Sequence, residues 1–92
     1  MADNDHDFAA SRREITDALL AALDRRHEVL DVIVDAEHRG AAVEAVAALL
    51  GTTHLGAEAV VQMPMYRLTK DSRRKIAAEL EDLNSRLTFT LM

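Results

Sequence analysis

The chain predicts an all-α fold, an antiparallel hairpin of two long helices that carries two short helices as a globular head. Three observations predict it. First, 49% of the 92 residues are apolar but only Phe8, Tyr66 and Phe89 are aromatic. The core must therefore be aliphatic and alanine-rich, which suits closely packed helices. Second, apolar residues recur at spacings of three and four in two separate stretches, the period of one helix face. Third, Gly40, Gly51 and Pro64 punctuate the chain between those stretches.

Length allows one small domain with one modest core. The formal charge is −5, and Asp3, Asp5 and Asp7 supply three of the 16 acids, leaving 13 against 11 bases. That balance speaks against a dedicated nucleic-acid binder, which presents a net basic surface. The chain has no cysteine, so neither a disulfide framework nor a thiolate metal site is available. No apolar run approaches the ~20 residues of a membrane span, and the start lacks the basic and apolar regions of a signal peptide. A cytoplasmic protein is expected.

Residues 1–7 are polar and acidic and offer nothing to bury, and residues 1–10 read as a disordered acidic tail ahead of a domain at 11–92. Ser11, Arg12, Arg13 and Glu14 form a capping-box pattern and place a helix start there. From Ile15 the apolar stripe continues through Leu19, Ala22, Leu23, Val29, Leu30, Ile33 and Val34. Acids and Arg25 occupy the other side. One helix over about residues 12–37 would be roughly 40 Å long. Gly40 marks its stop. Residues 41–50, almost all Ala, Val and Leu, form a short helix closed by Gly51 as a left-handed cap. Thr52 or Thr53 caps the next helix, whose inward set is Leu55, Ala59, Val60 and Met63. Pro64 cannot donate to that helix and ends or kinks it. After a linker at 65–68, Thr69 caps the last helix, with Asp71 complementing its dipole. Ile76, Leu80, Leu83 and Leu87 give this helix the cleanest seam in the chain, expected to run antiparallel against the first helix. Residues 88–92 are expected to fray or fold back.

One resemblance runs along most of this outline. Leu50, Gly51, Ala57, Ala59, Val60, Val61, Met63, Met65, Leu68, Thr69, Arg73, Lys75, Ile76 and Glu79 form a pattern that resembles the end of the breakage-reunion core in the A subunit of bacterial DNA gyrase and topoisomerase IV. Upstream, Ala18, Leu19, Leu20, Ala21, Ala22, Leu23 and Asp24 are similar to that family's "GLxxALD" segment, and Val29, Val32, Ile33 and Ala36 fall on its "EVIxxIR" helix. The region is the C-gate, a dimerisation head on a helical arm. The resemblance implies an all-α hairpin with a homodimeric head, and it does not imply strand cleavage, because the family's nucleophilic tyrosine lies in a separate domain. Pro64 and Tyr66 depart from the pattern, standing where the family usually has arginines, so this head is less basic and more apolar.

Four features are candidates for chemistry. Asp24, His27, Glu28 and Asp31 share a helix face and carry ligand types for a divalent ion, but such sites need facing ligands from other helices, so a solvated polar face with local ion pairs is the better reading. Arg67, Lys70, Arg73, Arg74 and Lys75 form the basic cluster, expected to pair with acids of the first helix or of a mate and not to bind DNA. Val61, Gln62, Met63, Met65 and Tyr66 form an adaptable apolar patch at the tip, the expected dimer interface. His38 and His54 read as exposed turn residues. No Ser/His/Asp arrangement or phosphate-cradling glycine loop is present. These readings point to a non-catalytic homodimerisation module without cofactor or metal. The alternative is a modulator that pairs with the full-length A subunit of gyrase or topoisomerase IV, and a helical metal-dependent enzyme is the weakest reading.

Overall fold

The structure, a computed structural model, describes residues 2–91 and the side chains of residues 7–87. Five α-helices follow one another: α1 (Ala2–Asp24), α2 (Arg26–Asp35), α3 (Arg39–Leu50), α4 (His54–Val61) and α5 (Lys70–Leu91), with a 3-10 turn at Met65–Leu68 between the last two. No strand occurs among the described residues. The expected all-α hairpin with a head of short helices is what forms.

The hairpin is α1 against α5. Ala9 packs with Leu83 and Leu87, while Arg12 bonds Glu79 further along, so residue numbers rise on one helix as they fall on the other. The two helices are antiparallel. The second half of α1 instead packs against α4, and α3 lies between α4 and α2. The main core gathers Ala18, Leu19, Ala22 and Leu23 of α1 with Val43 and Val46 of α3, Val60 of α4 and Ile76 of α5. The molecule is elongated, 43 × 27 × 18 Å, with a radius of gyration of 14.0 Å, against about 12 Å for a compact chain of this length.

Much of the punctuation falls where local chemistry puts it. Gly51 closes α3 at φ 64°, ψ 33°, the left-handed region that a side chain would disfavour. The Gly56 and Ser72 amides donate to the Thr53 and Thr69 hydroxyls at 3.1 and 3.2 Å, capping α4 and α5. Pro64, at φ −66° and ψ 149°, follows the end of α4 and opens the 3-10 turn.

Several expectations are corrected. The first helix starts at Ala2 and not at the Ser11 box, so the segment read as a disordered tail is helical backbone from Ala2 on; Met1 lies outside the described residues. Ala9 and Ala10 carry the apolar stripe backwards onto Leu83 and Leu87, and that packing outweighs the local capping pattern. The long helix over 12–37 is two helices, broken at Arg25 (φ −117°, ψ 34°). Backbone bonds survive the break, since the Arg25 amide donates to the Ala21 carbonyl at 3.1 Å and the Val29 amide to the Arg25 carbonyl at 3.0 Å. The Arg25 side chain bridges it. Its Nη1 donates to the Leu49 carbonyl at 2.9 Å, at the end of α3, while Nε and Nη2 grip Glu28 at 3.0 and 2.7 Å. Gly40 does not stop a helix but lies inside α3, whose cap is His38, with Nδ1 accepting from the Ala41 amide at 3.2 Å. At the other end, α5 runs on through Leu91 in place of the expected fraying or fold-back; Met92 lies outside the described residues.

Candidate interaction surface

Breaking the first helix changes which way its second half faces. Val29 is buried in the core, but Leu30 is 42% exposed and Val34 84% exposed, although all belong to the stripe expected to face the last helix. Leu30 shares a groove with Met65 of the 3-10 turn, which displays Met65 and Tyr66 at 71% and 65% exposure. Four of the six exposed large apolar side chains among the described residues therefore lie on α2 and this turn. Between them runs an apolar groove of ≈ 210 Å³, walled by Leu30 and Ile33 on one side and by Val61, Met63 and Met65 on the other. Arg26 is its one charged lining residue, and its Nη1 is held by the Leu23 carbonyl at 3.0 Å.

The five residues expected at the interface divide. Val61 and Met63 are half-buried and pack against the main core, so they form the groove's floor and wall. Gln62 is exposed and ends α4, its amide donating to the Glu58 carbonyl. Met65 and Tyr66 project outwards. Sequence reasoning missed Leu30, Ile33 and Val34 as members of the surface. Their stripe is visible in the sequence, but a stripe does not say which neighbour it faces when the helix carrying it is broken and its second half packs elsewhere.

The other candidates are placed as follows. Asp24 ends α1, while His27, Glu28 and Asp31 follow the break on α2. Glu28 is bound to Arg25, a contact that holds its carboxyl below the usual glutamate range and raises the guanidinium pKa. Among the described residues no group of three or more His, Asp or Glu is placed to hold a metal ion. His54 is exposed at the first turn of α4, 4.0 Å from Glu58. Among the described residues the basic cluster does not meet the acids of α1 in the expected way: an ion pair that joins α1 to α5 is Arg12 with Glu79, at 2.6 Å, away from the cluster. Lys75 pairs with Asp71 on its own helix at 3.0 Å. No helix among the described residues is long and apolar enough to cross a membrane.

Fold and surface together define a small all-helical domain with an apolar groove at the tip of an antiparallel hairpin. No family model matches the chain. It is similar to the chloroplastic/mitochondrial DNA gyrase A protein of Arabidopsis thaliana, with 29% identity over 80 residues, which is 87% of this chain and 8% of that gyrase protein. This similarity supports a relationship between the chain and a region of gyrase A, of which the chain spans only a small part.

Proposed function

We propose that the chain is a non-catalytic homodimerisation module, a relative of the gyrase A C-gate, that pairs through the groove between α2 and the 3-10 turn. The observation that carries this reading is an apolar groove lined by exposed Leu30 and Met65, with exposed Val34 and Tyr66 on the two elements that wall it. A contiguous patch of this kind marks a contact surface, and a twofold-related copy is the commonest cover for one. An interface of ~800 Å² per partner would be of standard size. Nothing in the reading asks Tyr66 for chemistry.

Sedimentation equilibrium over a wide concentration range, on wild type and on a Met65→Asp, Tyr66→Asp double variant, tests it. A dimer in the wild type that the variant splits, with unchanged helical circular dichroism, is the expected result. A wild type that stays monomeric throughout overturns it. A second reading, in which the module pairs with a full-length gyrase A protein, is favoured by a similarity that extends over 87% of the chain. Mixed refolding with purified gyrase A tests it, and absence of a mixed species removes it.

A further inference from the structure

We infer that the groove between α2 and the 3-10 turn is a binding site for a medium-chain alkyl carboxylate, with the carboxylate on Arg26 and the alkyl chain along the apolar walls. This gives the face proposed above for pairing a small-molecule ligand of its own. Apolar side chains make up nearly the whole lining, and Arg26 is the one charged residue in it. In ligand sites of that make-up a few placed polar groups orient the ligand while the apolar walls hold it.

Arg26 is placed for the first of those parts. It opens α2, and its Nη1 donates to the Leu23 carbonyl at 3.0 Å, which ties the guanidinium to the end of α1. A guanidinium has five N–H donors, so most of the fork is left over. Arg25 turns its fork on Glu28 and Arg12 turns its own on Glu79. No carboxylate among the described residues is paired with Arg26 in the same way.

Charge and size then select the ligand. A single cation balances a monoanion, and the planar fork matches the two oxygens of a carboxylate. The groove's ≈ 210 Å³ has room for about seven methylene-sized groups at ~30 Å³ each. Ile33 follows Arg26 by about 10 Å along α2, so the apolar wall leads away from the cation. Met63 and Met65 face it from the other side, and their flexible thioethers adapt to a chain of variable shape. An eight-carbon carboxylate, octanoate, meets both conditions. The ligand and a second copy compete for one face, so octanoate shifts pairing towards monomer. That last consequence alone rests on the pairing reading.

The test is a methyl NMR titration of the full chain with octanoate below its micelle concentration, with butanoate, hexanoate, dodecanoate and octan-1-ol as comparisons. Saturable shifts of the Leu30, Ile33 and Met65 methyls are expected. Affinity should rise about fourfold per added methylene up to octanoate and level off towards dodecanoate, whose chain outruns the groove. Arg26→Gln should weaken octanoate by about fivefold or more while octan-1-ol, which has no charge to lose, binds it as it binds wild type. Should that variant fail to fold, the chain-length series on wild type decides. Absence of saturable shifts at those methyls overturns the inference. So does unchanged octanoate affinity in a folded Arg26→Gln, or an affinity that climbs steadily through dodecanoate, which would mean adsorption on the surface and no site. Sedimentation without ligand keeps the two readings apart. A monomeric wild type that binds octanoate through Arg26 refutes the pairing and supports this site, whereas a dimer that octanoate neither enters nor splits overturns this site and leaves the pairing standing.

Discussion

Replacing Gly56 by alanine tests the close approach of α4 to α1. Gly56 is buried in the first turn of α4, where that helix crosses α1. A Cβ there would meet the Thr52 hydroxyl at 2.5 Å, the Ala18 Cβ at 2.7 Å and the Glu14 carbonyl oxygen at 3.3 Å, against 3.4 Å or more for ordinary contact. Thr52 can rotate away. The Ala18 Cβ cannot, because it is fixed to the backbone of α1, so the two helices must separate. Overpacking of this kind costs about 1–3 kcal/mol, and the better helix propensity of alanine returns at most ~1 kcal/mol. A net loss of about 1–2 kcal/mol follows. In urea, with a slope near 1 kcal/mol per molar for a small domain, the midpoint should fall by roughly 1–2 M. The assay is equilibrium unfolding of wild type, Gly56→Ala, Ala18→Gly and the double variant. If the cause is the Cβ contact, the cycle should show a coupling of about 1 kcal/mol, because Ala18→Gly makes room for the new methyl. Equal or greater stability of Gly56→Ala, or a cycle without coupling, would refute the packing argument.

Two further outcomes follow from the core and from the break. Leu23 is 1% exposed and central to the main cluster, so Leu23→Ala should cost about 3 kcal/mol and lower the thermal midpoint by roughly 10–20 °C in a domain of this size. The Glu28 carboxyl, lowered chiefly by its hydrogen bond from Arg25, should titrate below a free glutamate in a carbon-detected NMR pH series and return towards it in Arg25→Gln. Because its folded-state pKa is depressed, its contribution to stability is present above the unfolded value and is lost as pH falls through the folded one. The pair is exposed to solvent, so salt should weaken the effect.

The sequence by itself determined the fold class and most of the punctuation. Those features depend on local chemistry: the left-handed conformation at Gly51, the hydroxyls of Thr53 and Thr69 on the next helix's free amides, and the missing N–H of Pro64 need no distant partner. The seam of Ile76, Leu83 and Leu87 was legible for the same reason, since period alone makes it. Tertiary structure decided what period cannot. Arg25 stands in a good helical context with no proline or glycine beside it, and the helix breaks there so that α2 packs on α3, with the Arg25 guanidinium bonding the Leu49 carbonyl, 24 residues away. Ser11 offered a cap that the chain bypasses, because Ala9 packs against Leu83 and Leu87. The candidate surface follows from that break. Leu30 and Val34 are ordinary stripe residues in the sequence, and they stay exposed because α2, past the break, packs on α3 and not along α5; Leu30 there comes to share the groove with Met65.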